Sequence, residues 1–208
     1  MTSFFYRLLF NHYDLEMALS DKHLISEAES IAAGLPSLNR EIEIAGNIPS
    51  EVVSQLRKAG IFHALVPREY GGAEVHPLSM IEIIKRISKA DGAVGWNVMI
   101  GCTTGLIAAS LSEPDARAIY GSQHGPLTVG VTAPSGVAKS VAGGYLVDGR
   151  WGWGSGAFHA DWVCGGCVVH DENNDKRLSS SGSPEVWLMI FSKDQIKIED
   201  TWQVSGLK

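Results

Sequence analysis

The chain has 208 residues, of which 45% are apolar and 19% are charged, and its formal net charge is −6. This composition is ordinary for a globular protein and argues against disorder over most of the chain, and the length suits one large or two small domains. Because no block of Lys and Arg accompanies the negative charge, a DNA or RNA partner has little support. The expected partners are small molecules or proteins.

Residues 1–24 are interpreted as an N-terminal extension. Their apolar cluster over residues 4–9 is broken by Arg7 and lacks the basic leader and small-residue cleavage site of a signal peptide. The chain has three cysteines, which is too few for a disulfide framework and indicates a reducing compartment. We therefore expect a cytoplasmic protein with no membrane segment.

Over residues 25–122 the apolar positions recur at helical spacing. One helix is expected to end at Gly60 in a left-handed cap, and a second carries an apolar stripe over residues 80–87. A third begins at Ser112 with the spacing of a capping box and ends at Gly121. This pattern predicts an all-α N-terminal domain.

The stretch between Asp91 and Glu113 contains no charged residue and is long enough to span a bilayer. Four glycines and polar side chains such as Asn97 and Ser110 interrupt it. These residues favour a helix buried inside the helical domain over a membrane span.

After residue 122 the pattern changes to short β-branched runs separated by turn residues. We predict strands at residues 127–133, 137–141, 144–153, 161–170, 185–191 and 195–203. They suit an antiparallel β sandwich or barrel domain over residues 123–208. Residues 171–183, rich in Asn and Ser, are predicted to form a mobile solvent loop.

Residues 143–156 hold the most informative pattern. Turn pairs flank an apolar run, which predicts a hairpin, and the glycines beyond it let the backbone approach a flat group closely. Trp153 could supply an aromatic face, and Ser155, two residues on along a strand, would point to the same side and donate a hydrogen bond. The alternative, which stays open, is that Trp151 and Trp153 are core aromatics of a sandwich.

The run Cys164-Gly165-Gly166-Cys167 has the spacing of a redox or zinc pair. It is a single pair in a predicted strand, where residues three apart point to opposite faces. We therefore predict no metal site.

Six segments in order carry a resemblance to a known family. They are LRKAGIF at 56–62, LVPREYGG at 65–72, GWN at 95–97, TAP at 132–134, GGYLVDGRWGWGSG at 143–156 and DTWQVSGL at 200–207. With them, the chain from residue 25 onward resembles the acyl-CoA dehydrogenase fold, and more closely its branch of reduced-flavin-dependent hydroxylases. In that family an all-α domain and a β domain hold the flavin, and a C-terminal four-helix bundle completes the site. We expect this chain to lack the bundle.

The resemblance implies which residues bind the cofactor. Val131 and Thr132 match the positions that contact the pyrimidine edge of the flavin ring. Trp153 matches the aromatic residue that contacts the flavin ring. Ser155 matches the residue that donates a hydrogen bond to the N5 edge of the ring, and Gly156 matches the glycine that comes directly after that donor.

The resemblance also places a substrate pocket along the helix that contains Trp96, Cys102 and Thr103. Hydroxylases of this branch tend to carry a histidine in that helix, and this sequence has none there. No catalytic acid or base is therefore named.

Two positions separate the hydroxylase branch from the dehydrogenases. Dehydrogenases carry a glutamate and a serine where this chain has Ala133 and Ala138, and the serine helps them bind pyrophosphate and thioester. The resemblance thus favours a flavin-dependent oxidoreductase, a two-component monooxygenase that uses FAD or FMN, supplied reduced by a separate reductase, on an aromatic or polycyclic substrate.

Two alternatives stay open: an acyl-CoA dehydrogenase acting on CH–CH bonds, and a truncated, non-catalytic remnant. Neither the substrate nor the choice between FMN and FAD follows from the sequence. A homo-oligomer is expected where the bundle is present. Without the bundle, exposed apolar surface is expected to cause association.

Overall fold

The computed structural model of the chain describes residues 21–122, 125–204 and 207. Most of the expected N-terminal extension lies outside these residues. The chain divides into two compact units, one that runs to Leu127 and includes the segment from Asp200 onward, and one that spans Thr128–Glu199. The domain boundaries expected from the sequence stay predictions.

The first unit is all-α, as predicted. Its helices are α1 (residues 21–34), α2 (Asn39–Ala45), α3 (Ser50–Lys58), α4 (Pro77–Ala90), α5 (Gly92–Thr104) and α6 (Glu113–Tyr120). Short 3₁₀ turns follow several of them, at Leu35–Ser37, Ile61–His63, Arg68–Tyr70 and Gly105–Ser110.

Local hydrogen bonds explain where these helices begin and end. The Asp91 carboxylate accepts from the Val94 amide at 2.9 Å and begins α5. Ser112 accepts from the Asp115 amide, which confirms the predicted start of α6. Gly60, with φ of +75°, follows α3 in the left-handed conformation that the sequence predicts there.

Apolar side chains from three helices form the core of this unit. They are Val52, Val53 and Leu56 of α3, Met80, Ile83 and Ile87 of α4, and Val94, Val98 and Cys102 of α5. The predicted stripe on α4 also included Ile81, which is 58% exposed, because it lies on the side of the helix away from Ile83 and Ile87.

The helical stretch Gly92–Ser110, made of α5 and the 3₁₀ turn after it, is long and apolar enough to cross a membrane by length and composition. One side packs inside the unit, where a side chain at Gly101 would overlap Phe62 and Leu127. On the other side, Trp96 is 47% and Leu106 51% exposed. The expectation of a buried helix is therefore correct for one side only.

The second unit contains one curled four-stranded sheet. Its strands are β1 (Thr128–Val141), β2 (Gly144–Gly149), β3 (Trp162–His170) and β4 (Val186–Ser192), in the order β2-β1-β3-β4. The curl brings the two edge strands together, since the rings of Tyr145 on β2 and Trp187 on β4 lie 5.4 Å apart. The predicted sequence of an all-α part followed by a β part is confirmed.

The expectation of purely antiparallel pairing is wrong for one pair. The pairs β1–β2 and β3–β4 are antiparallel, but β1 and β3 run parallel, with Thr128 opposite Trp162. Two parallel strands need a long connection, because the chain must return to the end of the sheet where the first strand began. Residues 142–161, which contain β2 and a long turn, provide that connection between β1 and β3.

Three predicted strand boundaries also need correction. The predicted strands 127–133 and 137–141 are parts of the single strand β1, and β2 ends at Gly149 instead of residue 153. The segment 195–203 forms no strand. Its end belongs to the first unit, where the Trp202 indole donates to the Leu207 carbonyl at 3.0 Å and makes local contacts in place of a ladder.

The predicted solvent loop between β3 and β4 is exposed but locally bonded. Asp171 accepts from two nearby amides, and isolated bridges join His170 to Lys176 and Leu178 to Pro184. Arg177 lies over the Trp187 ring at 5.3 Å and forms an ion pair with Glu185.

Candidate flavin site

A bulge in β1 exposes Thr132, one of the predicted site residues, and follows directly on Val131, which is half-buried. Val131 lies opposite Gly165 and Gly136 opposite Cys167, so five steps along β1 match two along β3. Three extra residues therefore lie in β1 at this point, and Thr132–Ser135 are all exposed. Bulges of this kind occur next to active sites, where they redirect side chains.

Gly166 of β3 allows this bulge. A Cβ at this position would lie 2.3 Å from the Thr132 carbonyl oxygen and 2.7 Å from that of Ala133. Any side chain here would displace the bulge, so the Gly165-Gly166 pair inside the Cys164–Cys167 run has a structural reason that the sequence interpretation missed. A glycine pair inside a strand is itself a signal of close backbone approach.

The second group of site residues lies in a turn between β2 and β3. Trp153 has φ of +68°, the Ser155 amide donates to the Trp153 carbonyl at 2.9 Å, and Gly156 begins a 3₁₀ turn at Ala157–His159. The expectation that Trp153 and Ser155 share one side of a strand is therefore wrong. The glycines between them favour a turn over an extended strand.

The two tryptophans of this segment have different environments. Trp151 packs on the sheet, with its ring centroid 5.8 Å from that of Phe191, and its indole nitrogen donates to the Gly166 carbonyl at 2.8 Å. Trp153 is 79% exposed and holds a left-handed backbone, which costs a bulky residue about 1–3 kcal/mol. Trp151 thus packs as a half-buried aromatic residue of the sheet, which fits the core-aromatic interpretation in part, and that interpretation is wrong for Trp153.

The segment that leads into the turn starts at the edge of the bulge. β2 ends at Gly149, opposite Gly136 at the edge of the bulge, and β3 begins at Trp162, opposite the start of β1. The chain between them must cross β1, and Trp151 contacts Gly136 on the way. The Trp153 turn therefore begins two residues after a side chain that packs beside the bulge.

These residues fit a flat, hydrogen-bonding ring. Trp153 exposes an aromatic face, Thr132 exposes a hydroxyl group, and the half-buried Ser155 and Gly156 add a hydroxyl group and a tight backbone turn. A flavin ring needs this combination of an apolar face and donors or acceptors in its plane.

The three residues predicted for a substrate pocket lie on α5 in the first unit. Trp96 and Thr103 are seven residues apart on the exposed side, whereas Cys102 is fully buried and its thiol donates to the Ile61 carbonyl at 3.0 Å. Burial raises the pKa of the Cys102 thiol. Only Trp96 and Thr103 can face a ligand.

The cysteine pair of β3 is also buried. Burial raises the pKa of the Cys164 thiol to about 12 and raises that of Cys167, so both thiols are protonated near neutral pH. Within the part of the chain that the structure describes, no group of three or more His, Cys, Asp or Glu residues could hold a metal ion.

Residues 26–114 match the family described as acyl-CoA dehydrogenase, N-terminal domain. Over 167 residues the chain is 34% identical to indole-3-acetate monooxygenase of Pseudomonas putida, covering 80% of this chain and 41% of that protein. It is 29% identical to HsaA of Rhodococcus jostii, which is named as the oxygenase subunit of a flavin-dependent monooxygenase. That match covers 86% of this chain and 46% of HsaA. The chain therefore spans less than half the length of these relatives.

Solved structures give the same fold. The 3-HSA hydroxylase from Rhodococcus sp. RHA1 superposes with a TM-score of 0.79 at 26% identity, covering 89% of this chain and 47% of that one. XiaF from Streptomyces sp., solved in complex with FADH2 and glycerol, has a TM-score of 0.83 at 22% identity, covering 94% and 48%. At that identity the second match shows the fold alone.

Proposed function

We propose that this chain, whose residues 26–114 match the acyl-CoA dehydrogenase N-terminal domain family, is the flavin-binding part of a reduced-flavin-dependent monooxygenase. The observation that carries the proposal is Trp153, an exposed aromatic residue in a strained backbone, in the same unit as the exposed Thr132 bulge. Strain of this kind concentrates at functional sites. One relative named as a monooxygenase and one named as a flavin-dependent monooxygenase support the same conclusion.

The proposed reaction inserts one oxygen atom of O2 into an aromatic substrate. The second oxygen atom leaves as water, and the reduced flavin supplies the two electrons and becomes oxidised flavin. The chain's own contribution is to bind the ring and to keep it oriented. Trp153 would cover one face, Val131 and Thr132 would bond the pyrimidine edge, and Ser155 and Gly156 would approach the N5 edge.

Substrate selection is proposed for the exposed side of α5. Trp96 and Thr103 lie there, whereas Cys102 points into the core of the first unit. An aromatic or polycyclic substrate suits an indole and neighbouring apolar side chains. We assign no acid or base.

A separate flavin reductase is the proposed partner, because two relatives are named as the oxygenase subunit or oxygenase component of their systems. The use of a diffusible reduced flavin, together with three free and buried cysteines, suits the cytoplasm. A homo-oligomer is proposed for the form of the protein in which the C-terminal bundle is present.

The acyl-CoA dehydrogenase alternative is less well supported. At the position where dehydrogenases carry the serine for pyrophosphate and thioester, Ala138 is fully buried in β1, between Val147 and Val169 of the neighbouring strands. Its side chain packs in the sheet and has no polar group to offer a ligand.

Anaerobic titration of the purified chain with reduced FMN and reduced FAD tests the proposal. Flavin fluorescence should report saturable binding, and Trp153→Ala should weaken it about tenfold, since aromatic stacking on a flat base contributes about 1–3 kcal/mol. Leu178→Ala is the matched control, because Leu178 is also exposed in the second unit but lies in the loop after β3. A folded chain that binds neither flavin would favour the non-catalytic alternative.

A further inference from the structure

Trp151 occupies a position built from glycines. A Cβ at Gly136 of β1 would lie 2.4 Å from its indole ring, and a Cβ at either Gly149 of β2 or Gly165 of β3 would lie 2.6 Å from it. Each of these distances is too short for a real carbon contact, so the indole fits only because all three residues are glycine. We call these three residues the glycine seat.

The indole also has a fixed orientation in this seat. Its nitrogen donates to the Gly166 carbonyl at 2.8 Å, and the Phe191 ring of β4 tilts against it at 5.8 Å. Trp151 therefore contacts residues of all four strands, and its polar group is satisfied. A side chain held in this way has little rotational freedom.

Both halves of the candidate site are connected to this indole. The acceptor of its hydrogen bond is Gly166, and the bulge backbone at Thr132 and Ala133 lies directly on that residue. Trp153 follows Trp151 by two residues in the turn that crosses β1. A shift of the Trp151 ring would therefore move the bulge and the turn relative to each other.

We propose that Trp151 is a positioning residue of the flavin site, which does not contact the ring but sets the Trp153 turn against the Thr132 bulge. The proposal rests on the proposed function, because it assumes that these two segments bind one ligand. Binding sites need their contact residues held within a fraction of an ångström, and packed neighbours with a fixed rotamer provide that. The glycine seat and the Gly166 hydrogen bond give Trp151 those properties.

Two variants disturb Trp151 in different ways. Trp151→Phe removes the N–H group that bonds Gly166 and keeps an aromatic ring. Gly165→Ala keeps Trp151 and places a methyl group against its ring. Trp187→Phe is the matched control, since Trp187 belongs to the same sheet but packs with Tyr145 and Arg177 instead of the seat.

Reduced-flavin affinity and the induced circular dichroism of the flavin-saturated chain measure the effect on the site. Trp151→Phe should weaken binding about tenfold because it removes one hydrogen bond, and Gly165→Ala should weaken it to a similar extent because the added methyl group displaces the ring. Both variants should change the spectrum at saturation. The control should change neither. A purely structural role would lower the stability to urea and leave the spectrum of the saturated complex unchanged, and that result would overturn the proposal.

Hydrogen exchange in the flavin-free chain separates this inference from the proposed function. The amides of Ser155 and Ala157, which donate to the Trp153 and Gly154 carbonyls, should exchange about tenfold faster in Trp151→Phe than in wild type and remain protected in Trp187→Phe. Equal protection in all three proteins would refute the positioning role. Failure of the wild-type chain to bind flavin would instead refute the proposed function. The hydrogen-exchange rates of the flavin-free proteins would still show whether Trp151 holds the Trp153 turn in place.

Discussion

The left-handed backbone of Trp153 predicts an unusual response to substitution. In that conformation a residue with a Cβ is disfavoured by about 1 kcal/mol or more relative to glycine. Because the side chain is 79% exposed, little burial is lost when it is removed. Trp153→Gly should therefore be more stable than Trp153→Ala by about 1 kcal/mol, as measured by urea unfolding.

Leu146 provides the matched comparison. It is 66% exposed on β2, where the backbone is extended, so Leu146→Gly should be less stable than Leu146→Ala. If glycine were the less stable residue at both positions, the turn would not hold Trp153 in the left-handed region.

His63 makes the stability of the first unit depend on pH. Its ring is buried, lies against Tyr120, and has Nε2 3.1 Å from the Pro126 carbonyl. Burial lowers the pKa of His63, the positive charge of Arg57 lowers it further, and the Pro126 carbonyl opposes the shift. The unfolded chain therefore binds a proton more readily than the folded one, and stability should fall as pH drops below about 6.5.

Urea unfolding at pH 7.5 and pH 5 measures this effect. His63→Gln should lose less stability between the two pH values than wild type does. His23→Gln should behave like wild type, because His23 is exposed on α1 and its side chain is not part of the core. An equal loss in all three proteins would assign the acid sensitivity to other groups.

At the level of elements, the helices were more predictable than the strands. The sequence predicted α6 from Ser112 to Gly121 because local signals, a side-chain cap and a terminal glycine, determine helix ends. The parallel pairing of β1 with β3 depends on residues more than thirty positions apart, such as Thr128 and Trp162, and no local pattern encodes it.

The candidate site was predicted in part. Two of the residues that a family resemblance suggested, Thr132 and Trp153, are exposed in the second unit, and their role in binding stays a prediction. Their geometry was not predictable, because the bulge and the turn depend on contacts with Gly166 and with the glycine seat on other strands. The burial of Cys102 was not predictable either, since helical spacing alone does not say which side of α5 faces the core.

The start of α5 gives an element-scale prediction. Asp91 accepts from the Val94 amide at 2.9 Å and satisfies one of the free donors at the helix N-terminus. Asp91→Ala should lower the free energy of unfolding by about 1 kcal/mol, measured by urea denaturation followed by circular dichroism. Asp91→Asn keeps an accepting oxygen and should retain most of the stability, whereas equal losses in both variants would exclude a capping role.

Across the whole molecule, the three cysteines report on the two units separately. Cys102 lies in the first unit and Cys164 and Cys167 in the second, and all three are buried with raised thiol pKa values. We expect no alkylation by iodoacetamide at pH 8 without denaturant and full alkylation in urea. Mass spectrometry at each site would show whether the units unfold together, and rapid labelling of any site without urea would contradict its burial.

Both units also expose large apolar side chains. Trp96 and Leu106 lie on the exposed side of the α5 stretch, and Val186 and Leu188 lie on the edge strand β4. Exposed apolar surface and an open strand edge both promote association. Light scattering should therefore give an average mass that rises with protein concentration, and a constant monomer mass would show that these faces do not drive association.

The parallel pair also affects the order in which the chain can fold during synthesis. The hairpin of β1 and β2 can form once Gly149 has left the ribosome, but the other edge of β1 has no partner in this sheet until residues 162–170 follow. During that interval the bulge cannot rest on Gly166. Non-local pairing of this kind is slow to form, so a nascent chain stalled after Gly149 would present an open edge to other nascent chains.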